Sequence, residues 1–157
     1  MTLIVDGTNG LTFPNSTTQN SGGQILQVVQ GTSTSNTNTT STSYVTTNLS
    51  ASITPKFSTS KILILVNGVT YTNPAGSYGY WTIFRGTVSG TNLSAVGFNV
   101  MGATSSDLES SAAMSYLDSP ATTSATTYTV GMKAVSGTVY WSANSTTSTI
   151  TLMEVAG

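Results

Sequence analysis

The sequence feature that most constrains the fold is an unbroken run of five apolar residues, Ile62–Val66. Ser58–Lys61 precede the run and Asn67-Gly68 follow it. The run is too short to span a membrane, and its β-branched residues favour a strand over a helix. A half-buried strand alternates apolar and polar residues, whereas this one has no polar face. We therefore predict a strand that is covered on both sides.

Alternate side chains of a strand point to opposite faces. Ile62, Ile64 and Val66 are expected to fill the core of the domain. Leu63 and Leu65 are then expected to meet an overlying layer, which is either the amino-terminal residues of this chain or a neighbouring subunit. We predict that these two leucines form a subunit interface.

The composition of the chain indicates one β-rich domain that functions in an assembly. Its 157 residues suit a single domain, about a third of them are Ser or Thr, and it has no cysteine. Only nine residues are charged and the net charge is −1. The four basic residues are scattered, which argues against nucleic-acid binding. Low net charge protects solubility poorly, so the composition favours a protein that packs into an assembly.

The first 23 residues form a region of their own, and residues 24–157 form the predicted domain. The amino-terminal region has one apolar group at Leu3, Ile4 and Val5 and a second at Leu11 and Phe13. Turn signals and a polar linker separate these anchors from the rest of the chain. We predict an extended arm that lies on a partner. No signal peptide and no transmembrane segment are recognised, so synthesis in a cytoplasm is expected.

Residues 24–157 contain eight or nine short strand patterns separated by turn signals, and no helical periodicity. One such signal is Asn73–Gly76, where a turn is predicted. This pattern predicts an all-β fold, an antiparallel jelly-roll-like sandwich. The predicted strands are Gln24–Gln30, Tyr44–Ile53, Lys61–Tyr71, Tyr78–Arg85, Leu93–Met101, Ala112–Asp118, Thr126–Ala134, Thr138–Ala143 and Ser148–Val155.

The residues available for chemistry are few. The chain has no histidine and no cysteine, which excludes Ser-His and cysteine hydrolases and His-ligated zinc. Asp107 and Glu109, two residues apart in a polar loop, remain as a carboxylate pair that could bind calcium or act as general acid and base, and Asp118 follows further along the chain. We favour solvated loop charges, because no third ligand is spaced for an ion. We predict no cofactor, no metal and no enzymatic activity.

The aromatic residues cluster along the predicted strands, at Tyr78, Tyr80 and Trp81 among others. Such rings could stack on sugars and are therefore candidate receptor contacts. Aromatic residues at alternating strand positions more often belong to a core or a subunit interface, which is the interpretation we favour.

Several segments resemble those of tailed-bacteriophage virion proteins. Gly10–Gln19, which reads GLTFPNSTTQ, resembles a segment of many phage fibre and decoration proteins, although Asn15-Ser16 replaces the usual Asp-Gly. The strand pattern that follows and the tail resemble the same domain, at Gly23–Gln30, Ser60–Val66, Leu117–Pro120, Thr126–Val130 and Ser148–Ala156. The resemblance implies a virion structural protein of a tailed bacteriophage, a homotrimeric β-domain. The scattered basic residues and the absence of a recognised transmembrane segment predict neither nucleic-acid nor membrane partners.

Three functions follow as hypotheses. The first is a capsid decoration or cement protein, whose arm lies on the major capsid protein; the short chain and the absence of a shaft before Gly10 favour it. The second is a tail fibre or spike tip that binds the host surface, including host glycans, through its loops and aromatic residues. The third is a polysaccharide-degrading enzyme, for which only the three carboxylates are available.

Overall fold

A computed structural model describes residues 4–6, 10–12, 18–19, 24–94, 97–100 and 108–157. For residues 4–6, 10–12, 18–19, 98–100 and 108 it describes the backbone alone. The described residues form twelve strands and a single 3-10 turn at Ala143–Ser145. In chain order the strands are β1 (Ile4–Asp6), β2 (Gly10–Thr12), β3 (Thr18–Gln19), β4 (Ile25–Ser33), β5 (Thr37–Thr39), β6 (Val45–Ile53), β7 (Lys61–Arg85), β8 (Thr91–Asn92), β9 (Phe98–Val100), β10 (Leu108–Asp118), β11 (Thr126–Trp141) and β12 (Ser148–Val155).

The strands from β4 onward form one antiparallel sheet, in which β7 has neighbours along both of its edges. Along one edge of β7, β11 and then β12 pair with it, and along the other edge β8, β9 and β10 do so. The outer edge of β12 pairs with β4, and the outer edge of β11 pairs with β5 and β6. The last strands of the chain, β11 and β12, therefore lie between β7 and the first strands of this sheet, β4–β6.

This long sheet folds over on itself into two layers. In the first layer are β4, β12, the beginning of β7 and β10, and in the second are β6, β11, the end of β7, β8 and β9. The layers meet where β6 packs against β4 and β12 without pairing with them. The approach is close, because a Cβ built on Gly31 would lie 2.1 Å from the carbonyl oxygen of Ser50. The predicted all-β, antiparallel jelly-roll-like sandwich is confirmed.

The core lies between the two layers and follows the strand period of two. Ile62, Ile64 and Val66 are at most 1 % exposed, which confirms that they fill the sandwich. The opposite layer contributes side chains such as Ile83 and Tyr128, both fully buried. Burial of apolar area at roughly 25 cal/mol per Å² makes this core the main source of stability.

The turn predicted at Asn73–Gly76 is wrong, because the chain does not reverse direction there. Asn73 pairs with Thr138, and Tyr78, five residues later, pairs with Ser136. Since β11 holds β7 on both sides of this point, the intervening residues form a bulge inside one continuous strand. Gly76 within the bulge and Gly137 opposite it both have left-handed backbone, with φ of 80° and 65°.

The described part of residues 1–23 forms a small sheet of its own. Its strands are β1, β2 and β3, which pair antiparallel in that order. None of these three strands pairs with the nine-stranded sheet formed by β4–β12. The predicted extended arm is therefore, over the residues described, a short antiparallel meander.

Candidate functional site on the outer face of the first layer

A row of apolar side chains crosses the outer face of the first layer. Leu63 on β7 pairs with Leu117 on β10 and with Met153 on β12. Met153 in turn pairs with Val28 on β4. Directly paired residues share a face of the sheet, so these four side chains form a continuous row opposite to the buried Ile62 and Ile64. Leu117 and Val28 are 50 % and 55 % exposed, while Leu63 and Met153 are partly buried.

Two further apolar side chains extend the row. Ile25 is 58 % exposed and pairs with Val155 beside the row, and Leu65 is the next residue of β7 on this face. A shallow groove of about 370 Å³ lies next to Leu65, between β7 and β10. We call the set of Ile25, Val28, Leu63, Leu65, Leu117 and Met153 the outer apolar face.

The outer apolar face concentrates the exposed apolar residues of the molecule. In the described part of the chain, six large apolar side chains are exposed, and three of them belong to this face. Isolated apolar residues on a surface are normal, whereas contiguous ones mark an interaction site. Leu63 and Leu65 are partly buried and lie in this face together with exposed apolar side chains. Their role in a subunit interface stays a prediction.

The predicted arm contacts can be located only in part. Leu3 and Phe13 lie outside the described residues. Ile4, Val5 and Leu11 lie in the small sheet, where Val5 pairs with Leu11. That these residues contact a capsid subunit also stays a prediction.

The three candidate receptor contacts do not form one surface. Trp81 is 3 % exposed, and its ring packs against Trp141 with 5.2 Å between centroids. Tyr78 is 38 % exposed, whereas Tyr80 is partly buried with its ring 5.6 Å from the Lys133 ammonium nitrogen. Of the three, only Tyr78 and Tyr80 can therefore present a ring to a ligand.

Of the carboxylates proposed for chemistry, the two that the structure describes, Glu109 and Asp118, are not brought together. Asp107 lies outside the described residues. Glu109 and Asp118 stand near opposite ends of β10, about 30 Å apart along an extended strand. Paired carboxylates of glycosidases are within about 10 Å of each other, so these two cannot act as such a pair. In the part of the chain that the structure describes, no group of three His, Cys, Asp or Glu side chains could hold a metal ion.

Asp118 instead forms a buried ion pair that joins three strand ends. It is 3 % exposed, and one of its carboxylate oxygens accepts hydrogen bonds from Arg85 Nε at 2.8 Å and from the Tyr128 hydroxyl at 2.7 Å. The other oxygen accepts a bond from the guanidinium of Arg85. The hydrogen-bonded carboxylate raises the pKa of Arg85, and burial together with this bond raises the pKa of Tyr128. The arrangement is structural, because every carboxylate oxygen is already bound.

A second buried carboxylate, Glu154, was not predicted from the sequence. It is fully buried near the end of β12, where it accepts hydrogen bonds from the Gln27 amide at 2.6 Å and from the Lys56 backbone N–H at 2.7 Å. Burial opposes its charge, but the hydrogen bonds outweigh burial and lower its pKa below the usual value of a glutamate. The signal was present in the sequence, since Glu154 continues the inward positions of Ile150 and Leu152.

No protein-family model and no curated protein sequence matches this chain. None of the described residues forms a helix long and apolar enough to cross a membrane.

Proposed function

We propose that this chain is a non-enzymatic structural protein of a tailed-phage virion, a trimeric decoration or cement protein of the capsid. The observation that carries the proposal is the outer apolar face, an uncharged row of side chains that crosses four strands. The segments that resemble phage fibre and decoration proteins supply the link to a virion.

The mechanism is burial of apolar surface between subunits. Each copy would cover the outer apolar face of a neighbour, and the arm would attach the trimer to the major capsid protein. A stable interface buries about 800 Å² on each partner, and every Å² of apolar surface contributes roughly 25 cal/mol. Many such contacts over a shell would stabilise the head without any chemical reaction.

The experiment is a double variant, Leu117→Gln with Val28→Thr, compared with wild type by sedimentation equilibrium. Both side chains are half exposed, so their loss should change association rather than folding. Replacing the apolar end of Leu117 by an amide and one methyl group of Val28 by a hydroxyl costs about 2 kcal/mol per copy, or about thirtyfold in the association constant. The matched control is Val135→Thr, because Val135 is also exposed, at 42 %, but lies outside the outer apolar face.

Equal weakening by the control, or no weakening by the double variant, would remove the outer apolar face as an interface. The place in the particle is tested separately by cryo-electron microscopy of the virion. Density for this chain on the head supports the decoration role, and density on the tail alone refutes it.

The second candidate function is a tail fibre or spike tip, for which the exposed ring of Tyr78 is the supporting observation. This function predicts that the purified protein binds host cells and that Tyr78→Ala abolishes binding with no loss of stability. Absence of cell binding by the wild-type protein would exclude it.

A further inference from the structure

A small pocket lies on the outer surface where β10, β7 and β11 run side by side. Tyr71 on β7 pairs with Tyr140 on β11 and with Glu109 on β10, so the three side chains form one row. The two rings are in edge-to-face contact, with 5.0 Å between centroids and 61° between planes. Asn36, from the loop between β4 and β5, and Asn144 complete a cavity of about 160 Å³.

A strained turn holds Asn144 over this pocket. Ser142, Asn144 and Ser145 all have left-handed backbone, with φ of 54°, 54° and 57°. Residues other than glycine adopt this conformation at a cost of about 1 kcal/mol each, and such strain concentrates at binding sites. The base of the turn is fixed by a hydrogen bond of 2.8 Å between the hydroxyls of Ser142 and Ser148.

The polar groups of the pocket can form hydrogen bonds with the hydroxyl groups of a ligand. The amide of Asn144 donates a hydrogen bond to the Glu109 carboxylate, which orients both side chains. The remaining carboxylate oxygen can accept from a ligand, and the exposed Asn36 offers both a donor and an acceptor. Beside them, the partly buried rings of Tyr71 and Tyr140 offer aromatic surface with an apolar body and a polar tip.

The charge of the pocket lining disfavours anionic ligands. Its lining contains one carboxylate and neither lysine nor arginine. A phosphate, a sulfate or an acidic sugar would therefore meet like charge without compensation. The cavity has room for about one six-membered ring, and a concave site with aromatic walls and few polar groups is typical of small-molecule binding.

We propose that this pocket binds one ring of a neutral saccharide. The apolar face of the ring lies against the tyrosine pair, and its hydroxyls bond to Glu109, Asn36 and Asn144. The site shares no residue with the outer apolar face, and Tyr71 is eight residues from Leu63, about 26 Å along β7. Saccharide binding and self-association can therefore fail independently of each other.

The test is saturation-transfer-difference NMR on the full chain, with the methyl glycosides of glucose, galactose, mannose and N-acetylglucosamine as probes and glucuronic acid as the anionic comparison. We expect transfer to at least one neutral glycoside and less transfer to glucuronic acid. Tyr140→Ala should weaken binding about tenfold, because it removes one ring of the pair.

Asn144→Gly is a second variant that tests the pocket even if Tyr140→Ala fails to fold. Glycine accepts the left-handed backbone, so this change removes the amide without adding strain. It should also weaken binding, whereas Phe57→Ala, at an aromatic ring that is 56 % exposed and outside the pocket, should leave binding unchanged. No transfer to any neutral probe at millimolar concentration, equal binding by Asn144→Gly, or preference for glucuronic acid would overturn the proposal.

Discussion

Replacing Asp118 by asparagine should lower the free energy of unfolding by about 3 kcal/mol. The side chain is 3 % exposed and accepts three hydrogen bonds, from the guanidinium of Arg85 and the hydroxyl of Tyr128. Breaking a buried ion pair typically costs about 3–5 kcal/mol. We expect the lower end of that range, because the Arg85 side chain is 33 % exposed and keeps part of its hydration.

The assay is urea unfolding at pH 7, and two further variants separate the contributions. Tyr128→Phe removes one hydrogen bond to a charged acceptor and should cost about 1.5–3 kcal/mol. Glu109→Gln makes the same change of carboxylate to amide at an exposed position of β10 and should stay within about 0.5 kcal/mol. A loss below about 1 kcal/mol for Asp118→Asn, or a loss equal to that of Glu109→Gln, would refute the structural role of the ion pair.

Two other predictions concern Glu154 and the bulge of β7. The folded pKa of Glu154 is lower than its ordinary value, so its contribution to stability is present above the ordinary glutamate pKa of about 4.3 and is lost as pH falls through the lower folded value. Glu154→Gln should be less stable at pH 7 and should lose part of this acid-side decline in urea titrations, and an identical pH profile would contradict this. Gly76→Ala should cost about 1 kcal/mol, because its φ of 80° is strained but no atom lies within 4 Å of the new Cβ. Gly137→Ala should cost at least about 2 kcal/mol more, because its Cβ would lie 1.8 Å from the buried Ser77 hydroxyl oxygen; equal thermal unfolding of the two variants would contradict the close packing.

The sandwich could be predicted from local patterns because each layer buries one face of its strands. The run Ile62–Val66 shows this best. An apolar run without a polar face indicates cover on both sides, and its inward-pointing residues Ile62, Ile64 and Val66 are at most 1 % exposed. β6 is a second example, with Leu49, Ala51 and Ile53 buried and the intervening residues exposed. These predictions depend only on the period of two in a strand.

Long-range pairing explains what sequence patterns did not reveal. Asn73–Gly76 has the composition of a turn, but the register of β11 keeps it within one strand. Trp81 was a possible receptor contact, with core or interface as the favoured interpretation, and it lies in the core against Trp141, a partner sixty residues away that the sequence did not indicate. The pocket at Tyr71 and Tyr140 likewise depends on pairing between distant strands, which no local signal specifies.

In the proposed trimer, another copy of this chain covers the outer apolar face. Sedimentation equilibrium of the wild-type protein over a wide range of concentrations tests it most directly. We expect association towards three times the chain mass of 16.2 kDa. A mass of 16.2 kDa at every concentration would contradict self-association through the outer apolar face.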